Sequence, residues 1–202
     1  MVFVVQAPVY ADEDTSGGFK HGGWHLRYFE ERSMKWVVEN VSRAGGYLLG
    51  RRTYEVFAAH WPKASPKEQE LARPLNTKPK HVASRTLSEP LTWENSTLFK
   101  GSVAESVAKL KREGGGDLLL IGSTELAAAL LAHDLVDELR LMIDPVILGG
   151  GKRFFRDDGA CRRFALATSE TTPTGAILAT YVRSNSDATV APLLPRPPEA
   201  RQ

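Results

Sequence analysis

The segment that most constrains the fold of this chain is Asp117 to Leu131, which reads DLLLIGSTELAAALL. The apolar run Leu118 to Ile121 predicts a buried strand, and Ser123 predicts the start of a helix directly after a one-glycine turn. Such a turn points unpaired backbone N–H groups at whatever lies above the sheet, which suits an anion. We therefore predict that this turn holds the diphosphate of a dinucleotide. The alternative is an ordinary strand-to-helix connection.

Composition and charge exclude several classes of protein. The chain has 202 residues, of which 42% are hydrophobic and 25% are charged, as in ordinary globular domains. A formal net charge of +2 gives no support to general nucleic-acid binding. No apolar run approaches the roughly 20 residues that a membrane span requires. We predict a protein whose partner is a small molecule, with neither nucleic acid nor membrane as a partner.

The start of the chain and its single cysteine bear on location. The opening MVFVVQAPVYADEDTS has no basic leader and no long apolar core, so we predict a first, central strand over Val2 to Val5 rather than a signal peptide. Cys161 is the one cysteine of the sequence, which excludes an internal disulfide and fits a reducing compartment. We therefore predict a cytoplasmic location.

A second strand–glycine–helix unit lies earlier in the chain. The predicted strand Tyr47 to Gly50 leads directly into a helix that begins with Arg51, Arg52 and Thr53. Guanidinium groups at a helix N-terminus oppose the helix macrodipole unless an anion lies there. A third predicted strand, Pro79 to Ser84, also has an arginine directly after its polar end. These features predict an anion site, and the alternative is a set of solvated surface arginines.

The order of the predicted elements indicates the fold class. Strands and helices alternate through the front two-thirds of the chain, and the last third is rich in strands. This order favours one α/β domain over residues 1–184, with an antiparallel extension at one edge of its sheet. Residues 185–202 contain several prolines and little apolar surface, and they predict a disordered tail. Open α/β sheets bind ligands at the carboxyl ends of their strands, so the glycine turns should share one edge.

A long polar loop, Gln6 to Gly23, follows the first predicted strand. Loops of this length in compact domains are usually functional or disordered, and the aromatic residues and glycine pairs here predict a folded lid. His21 and His25 have a spacing that binds metals on a helix, but Gly22 lies between them and no third ligand is evident. We predict no metal site.

Four blocks of the sequence together resemble a known superfamily. They are GGYLLGRRTYEVF at 45–57, KHVASRTL at 80–87, the long block 117–155 and ILATYVRS at 177–184. The chain resembles the dihydrofolate-reductase-like superfamily, and within it the reductase domain of bacterial riboflavin biosynthesis and the single-domain dihydrofolate reductase family proteins. The resemblance spans nearly all of Val2 to Ser184. It implies a three-layer α/β/α fold with a mostly parallel central sheet and antiparallel C-terminal strands.

The resemblance also implies that NADPH is the cofactor, and it assigns residues to each part of that molecule. The helix start that holds cofactor phosphates matches Gly50, Arg51, Arg52 and Thr53. The strand end that grips the adenosine 2′-phosphate matches Ser84 and Arg85, where an arginine fork suits a phosphate. The turn under the diphosphate and nicotinamide ribose matches Gly122, Ser123 and Thr124, with Gly122-Ser123 where many relatives have Gly-Gly. A glycine turn near the cofactor pocket contains Gly150.

The substrate side departs from the family pattern. Relatives follow the first strand with a Ser-x-Asp-Gly motif, whereas this chain reads QAPVYADEDTSGG, so no catalytic acid is assigned. Candidates for the substrate side are Gln6, Asp14, Trp24 and Tyr28, since aromatic rings offer faces on which a heterocycle stacks. Alternatively the acidic run Asp12 to Asp14 is a solvated loop and the aromatic rings pack beneath it. The proton that accompanies a hydride would come from water or from an acid of this loop.

Three functions follow from these observations. The first is an NADPH-dependent reductase that transfers a hydride to a small pterin-like, pyrimidine-like or carbonyl substrate. The second is a nucleotide-binding or sensor protein on the same fold that performs no turnover. The third is a 5-amino-6-(5-phosphoribosylamino)uracil reductase, which needs a site for the substrate phosphate that the sequence does not locate. The resemblance also implies a homodimer that pairs through the C-terminal strands.

Overall fold

The structure of the protein is a computed structural model that describes residues 4–184. Its helices are α1 (Glu31–Arg43), α2 (Arg51–His60), α3 (Gln69–Thr77), α4 (Val103–Glu113) and α5 (Thr124–Ala132). Its strands are β1 (Gly46–Gly50), β2 (Lys80–Ala83), β3 (Ser96–Leu98), β4 (Leu118–Gly122), β5 (Glu138–Ile143), β6 (Phe164–Thr171) and β7 (Ile177–Arg183). The predicted tail, 185–202, lies outside the described residues. No helix within residues 4–184 is long and apolar enough to cross a membrane.

A parallel sheet forms the centre of the fold. Its strand order is β3-β2-β1-β4, and β1 pairs with β2 on one side and β4 on the other. Because side chains alternate between the two faces of a strand, Tyr47 and Leu49 of β1 enter one core and Leu48 enters another. Central position explains why every residue of β1 is buried.

Helices cover both faces of this sheet. On the Tyr47 face the core includes Val41 of α1 and Leu75 of α3. On the opposite face Leu48 packs with Val107 of α4 and with Leu126 and Leu130 of α5. This arrangement is the predicted three-layer α/β/α fold, so the prediction of the fold class is confirmed.

The predicted antiparallel strands form a second sheet. Its order is β5-β7-β6, and the register pairs Leu141 with Ala179 and Ser169 with Ala179 from the other side. The turn between β6 and β7 closes with a hydrogen bond from Thr172 N to Ala176 O of 2.8 Å. Strand β6 lies at the edge of the sheet, and nearly all of its residues are exposed.

The prediction of a first central strand is wrong for the part that the structure describes. Val4 forms an isolated antiparallel bridge with Arg153, and Val5 N donates to Lys152 O at 3.0 Å. Neither residue belongs to a named strand of either sheet. A β-rich run becomes a strand only where a ladder of backbone partners is present, and here the pairing stops after the bridge. Val2 lies outside the described residues.

Helix α1 begins at Glu31, directly after its N-cap. Glu30 is that N-cap and accepts hydrogen bonds from the backbone N–H groups of Arg32 and Ser33. A side-chain acceptor at this place satisfies N–H groups that have no partner inside the helix. The three residues Tyr28 to Glu30 therefore belong to the preceding loop.

One charged side chain is fully buried in the larger core. Lys80 of β2 has no exposed surface, and its Nζ donates to the carbonyl oxygens of Leu75, Asn76 and Lys78 at 2.8, 3.2 and 2.9 Å. These carbonyls lie at the C-terminal end of α3, where backbone acceptors have no partner inside the helix. Nζ also lies 4.5 Å from the centre of the Trp93 ring. Burial lowers the pKa of Lys80 to about 8 because desolvation disfavours the charged amine.

Candidate active site

Three strand ends lie next to one another at one edge of the parallel sheet. The register pairs Gly50 at the end of β1 with Ala83 at the end of β2, and Leu49 with Gly122 at the end of β4. The residues at these strand ends and directly after them are therefore neighbours. They include every residue that the sequence assigned to cofactor phosphates and to the diphosphate turn, namely Gly50, Arg51, Arg52, Thr53, Ser84, Arg85, Gly122, Ser123 and Thr124.

The turns after β1 and β4 interlock through their glycines. A Cβ atom at Gly50 would lie 2.6 Å from Ser123 Oγ and 3.1 Å from Ser123 N. A Cβ atom at Gly122 would lie 2.7 Å from Thr53 Oγ1. Each glycine thus makes room for the hydroxyl residue of the other turn, and both turns approach more closely than side chains would permit. The Gly122-Ser123 peptide bond is cis.

The two helices that begin at these turns differ in whether a side chain accepts a hydrogen bond from the backbone N–H groups at their N-termini. Ser123 caps α5, since its Oγ accepts a hydrogen bond from Leu126 N at 3.4 Å. Gly50 is the N-cap of α2 and provides no side-chain cap, and the first turn of α2 contains no acidic residue. The backbone N–H groups at the start of α2 are thus free to bind an anion.

Two arginines at this edge lack a carboxylate partner within residues 4–184. Arg52 and Arg85 are both exposed, and no ion pair or hydrogen bond of either guanidinium occurs in the described part of the chain. Arg51 differs, since its Nη1 donates to both carboxylate oxygens of Glu55 at 2.9 Å. The two guanidinium groups and the uncapped N–H groups of α2 together form a set of hydrogen-bond donors with positive charge. Such a set fits a polyanion.

Ser84 has a local structural role at the end of β2. Its Oγ accepts hydrogen bonds from Thr86 N at 3.1 Å and Leu87 N at 2.9 Å. These bonds fix the turn that carries Arg85 to the surface. The Ser84 hydroxyl also lies 3.5 Å from Thr86 Oγ1.

The sequence reasoning missed Arg156, which forms an ion pair with Glu125 in the first turn of α5. Further along, Arg162 Nε donates to Leu131 O at 2.9 Å near the end of α5. The irregular segment between the two arginines therefore runs alongside α5, with Arg156 at the end nearest the interlocked turns. No local pattern predicts this pairing, because it depends on how the segment packs on the helix.

The structure also contains a cleft of about 620 Å³. Two glycine-containing segments line it, 16–21 and 148–152, together with Gln6. Gly150, which the sequence assigned to the cofactor pocket, is in its wall. The wall ends at Lys152, and four residues further along the chain Arg156 contacts the start of α5. The cleft and the interlocked turns are therefore connected by a short stretch of chain.

Gln6 holds the two walls of the cleft together. Its Nε2 donates to the carbonyl oxygens of Asp14 and Ser16, both at 2.9 Å, and its Oε1 accepts from Lys152 N at 2.9 Å. The side chain is buried, with 4% of its surface exposed. The loop is thus folded against the glycine turn. The predicted substrate role of Gln6 stays a prediction, and in the structure its amide group joins the loop to the glycine turn by hydrogen bonds.

Asp14 also joins the loop to the glycine turn. Its carboxylate accepts from Lys152 Nζ and from Ser16 Oγ, the latter at 2.6 Å. Hydrogen bonds from Lys152 and then Ser16 hold the pKa of Asp14 well below its usual range. A carboxylate held ionised in this way is a poor proton donor. Its predicted place on the substrate side stays a prediction.

Trp24 and Tyr28 lie under the loop and are half-buried. Trp24 Nε1 donates to Gln6 O at 2.9 Å, and the backbone oxygen of Tyr28 accepts from Thr174 Oγ1 at 2.7 Å. These bonds favour the packing interpretation for both residues. Their predicted contact with the substrate stays a prediction.

His25, which lies between Trp24 and Tyr28 along the chain, pairs with Asp144, which directly follows β5. His25 Nδ1 is 2.7 Å from Asp144 Oδ2, and the side chains are 17% and 1% exposed. The sequence singled out His25 for its spacing from His21 but missed Asp144. Within residues 4–184 no cluster of three or more His, Cys, Asp or Glu side chains is arranged to hold a metal ion.

Comparison with known proteins identifies the family. The model of the RibD C-terminal domain matches residues 15–178. The chain belongs to the RibD C-terminal domain family. Its curated relative YyaP of Bacillus subtilis, an uncharacterised protein, is 33% identical over 137 residues, which cover 66% of this chain and 71% of YyaP.

Solved structures of similar proteins share the fold. A putative riboflavin biosynthesis protein from Shewanella sp. PV-4 has 26% identity and a TM-score of 0.59, covering 73% of this chain and 78% of that one. A pyrimidine reductase-like protein from Corynebacterium diphtheriae has 14% identity and a TM-score of 0.60, covering 80% and 85%. RibD of Acinetobacter baumannii has 14% identity and a TM-score of 0.57, and the match covers 78% of this chain and 51% of RibD. The chain thus spans about half the length of that RibD.

Family membership sets the class of activity. The match to the RibD C-terminal domain and the reductase-like neighbours support a reductase of the riboflavin-pathway type, that is, an oxidoreductase. The predicted resemblance to the dihydrofolate-reductase-like superfamily is confirmed.

Proposed function

We propose that this protein is an NADPH-dependent reductase that transfers a hydride to a small heterocyclic or carbonyl substrate. The observation that carries the proposal is the convergence of three strand ends, where uncapped N–H groups of α2 lie beside Arg52 and Arg85. This donor set fits the phosphates of a dinucleotide. When bound, the nicotinamide supplies the hydride, and the residues of this chain bind, orient and shield it.

Each turn has a distinct task in this proposal. The N–H groups at the start of α2 and the turn Gly122 to Thr124 bind the diphosphate. Arg85, which the turn closed by Ser84 carries to the surface, binds the 2′-phosphate that distinguishes NADPH from NADH. Arg52 adds charge from the neighbouring strand end. A guanidinium presents two parallel N–H donors to a phosphate, which a lysine cannot do.

The cleft lined by Gln6 and by the segments 16–21 and 148–152 is the proposed substrate site. Its volume of about 620 Å³ is within the range of small-molecule sites. Lys20 and the glycine backbone of its walls offer donors to polar substrates, including a substrate phosphate. This feature keeps 5-amino-6-(5-phosphoribosylamino)uracil reduction among the proposed reactions.

A non-catalytic nucleotide sensor is the second candidate function. It is favoured by the bonding of Gln6 and Asp14, whose polar groups are already used in holding the cleft walls together. NADPH oxidation with a pterin, a pyrimidine, a quinone and a nitro-compound separates the two candidates. A reductase consumes NADPH with at least one of these, whereas a sensor binds NADPH and consumes none.

The cofactor assignment predicts a preference for NADPH that depends on arginine. Titration of the wild type by nucleotide fluorescence should give tighter binding of NADPH than of NADH. Arg85→Ala should weaken NADPH binding roughly 10- to 100-fold with little change for NADH, because a charge-assisted phosphate contact is lost. Arg52→Ala should weaken binding of both nucleotides, since it lies beside the diphosphate.

Arg112→Ala is the matched control, because this arginine is exposed in the last turn of α4, away from the interlocked turns. It should leave both affinities unchanged. If neither nucleotide binds the wild type, or if Arg85→Ala and Arg112→Ala give equal NADPH affinities, the cofactor assignment is wrong.

We further propose a cytoplasmic homodimer that associates through the second sheet. Edge strand β6 is exposed along its length, and Leu166 and the neighbouring Val182 are 55% and 39% exposed. An uncovered apolar edge strand readily pairs with another chain. Sedimentation equilibrium should give a dimer for the wild type and a monomer for Leu166→Lys. Val56→Lys, at an exposed apolar residue of α2, should remain a dimer; a monomeric wild type would contradict the proposal.

A further inference from the structure

The pair His25–Asp144 has the geometry of an oriented acid. Nδ1 of His25 lies 2.7 Å from Oδ2 of Asp144, so the carboxylate fixes the direction of the ring. The rings of Trp24 and Phe29 lie 5.9 and 5.2 Å from the imidazole and hold its plane. Asp144 is the one charged group that contacts His25 within residues 4–184.

The carboxylate of this pair is unusually buried. The Asp144 side chain is 1% exposed, and its Oδ1 is buried with no hydrogen-bond partner within the described part of the chain. Burial of an ionised carboxylate is costly unless a positive charge or donors compensate it. His25 Nδ1 is the group placed to compensate this carboxylate.

The other ring nitrogen of His25 faces outward. Nε2 makes no hydrogen bond to residues 4–184, and it is not among the side-chain atoms that are buried without a partner. With the ring 17% exposed, Nε2 is accessible from solvent. An imidazole held at Nδ1 by a carboxylate and open at Nε2 is arranged to deliver a proton through Nε2.

Asp144 directly follows β5 in the chain, and β5 pairs with β7 in the second sheet.

The pair is also connected to the wall of the cleft. Trp24, adjacent to His25, donates to the backbone oxygen of Gln6, whose side chain lines the cleft. Asp144 precedes the lining segment 148–152 by a tight turn in which Val146 N donates to Asp144 O at 2.8 Å. Both members of the pair are thus within a few residues of cleft-lining groups.

We propose that His25 is the proton donor of the reductase and that Asp144 is its positioning residue, an inference that rests on the proposed function. A bound reduced nicotinamide dinucleotide would supply the hydride for a new C–H bond at the carbon of a C=N or C=O group, and it would be oxidised as the substrate gains two electrons. The π pair of the C=N or C=O bond would move to the nitrogen or oxygen, which would take the proton from Nε2 of His25. The imidazole would then regain its proton from water.

The test uses single-turnover oxidation of bound NADPH by a pterin, a pyrimidine, a quinone and a nitro-compound, followed by absorbance in a stopped-flow instrument. His25→Asn keeps a donor for Asp144 but has no proton to transfer. It should slow turnover about 100-fold or more while leaving the NADPH affinity unchanged. Added imidazole should restore part of the rate of His25→Ala. His133→Asn, at the C-cap of α5, is the matched control and should behave as wild type.

Variants of Asp144 test its positioning role. Asp144→Asn should slow single turnover while leaving the NADPH affinity unchanged, and Asp144→Glu, which keeps a carboxylate for Nδ1 of His25, should restore part of the rate. A rate for Asp144→Asn equal to that of the wild type would contradict this role.

The outcomes separate this inference from the proposed function. If the wild type consumes NADPH and His25→Asn is slowed less than roughly 2-fold, the inference is wrong and the reductase stands. If His25→Asn loses NADPH affinity and imidazole restores nothing in His25→Ala, the pair is structural and the inference is wrong. If the wild type consumes no NADPH with any substrate, the reductase proposal fails, and the inference fails with it.

Discussion

Replacing Lys80 with alanine is expected to lower the free energy of unfolding by about 4 kcal/mol. The substitution removes a long buried side chain and leaves a cavity beside Trp93. It also removes the donor for three carbonyl oxygens at the end of α3, those of Leu75, Asn76 and Lys78. A buried acceptor without a donor costs about 1–3 kcal/mol, so both effects act in the same direction.

Two further variants separate the cavity from the lost hydrogen bonds. Lys80→Met fills most of the volume and removes only the donor, so it should cost less than Lys80→Ala, about 1–3 kcal/mol. Lys109→Ala, at a lysine that is 71% exposed on α4, should change stability by less than about 0.5 kcal/mol. The measurement is urea unfolding followed by circular dichroism. Equal midpoints for Lys80→Ala and Lys109→Ala would contradict the structural role of Lys80.

Replacing Gly50 with alanine should both destabilise the domain and weaken NADPH binding. The new Cβ would lie 2.6 Å from Ser123 Oγ and 3.1 Å from Ser123 N, so the two turns must move apart. Overpacking of this kind costs about 1–3 kcal/mol. It also displaces the first N–H groups of α2 from the turn after β4, and we expect NADPH affinity to fall roughly 10-fold, since charge-assisted hydrogen bonds depend on geometry.

The matched control is another glycine, and a double variant tests the contact itself. A Cβ atom at Gly150 would meet nothing within 4 Å and the residue has no positive φ, so Gly150→Ala should change the free energy of unfolding by less than about 0.5 kcal/mol. Ser123→Gly removes the side-chain atoms, Oγ and Cβ, that oppose the new Cβ and leaves only the backbone N in contact with it. The double variant Gly50→Ala with Ser123→Gly should therefore lose less stability than the two single losses added together. Additive losses would show that the turns do not interlock.

Much of the fold was predictable because its signals are local. Strands β1 and β4 are apolar runs that end in glycine, and α4 and α5 each begin at a serine whose hydroxyl caps them. The antiparallel hairpin of β6 and β7 has a local signal of the same kind, a Pro-Thr-Gly turn between its two strands. The strand predicted for Val2 to Val5 was wrong over Val4 and Val5, because strand formation depends on backbone partners elsewhere in the chain.

Part of the candidate site was likewise predictable from the sequence, and part was not. The glycines and arginines that follow the strands were recognisable from the sequence, since their spacing from each strand is fixed along the chain. The partners of Gln6, Asp14 and Arg156 were not, because each contacts a residue far away in the sequence. These contacts are set by how the loop and the glycine turn pack, and no periodic pattern records that packing.

The sequence by itself determined the α/β class, the glycine turns after β1 and β4, and the cationic character of the edge they form. These are properties of residues that are neighbours along the chain. The tertiary structure alone decided that Gly50 lies against Ser123 and that His25 contacts Asp144. It also decided that the buried Lys80 side chain donates to carbonyl oxygens at the C-terminal end of α3. The physical reason is strand register and crossover direction, which bring residues from distant parts of the sequence into contact.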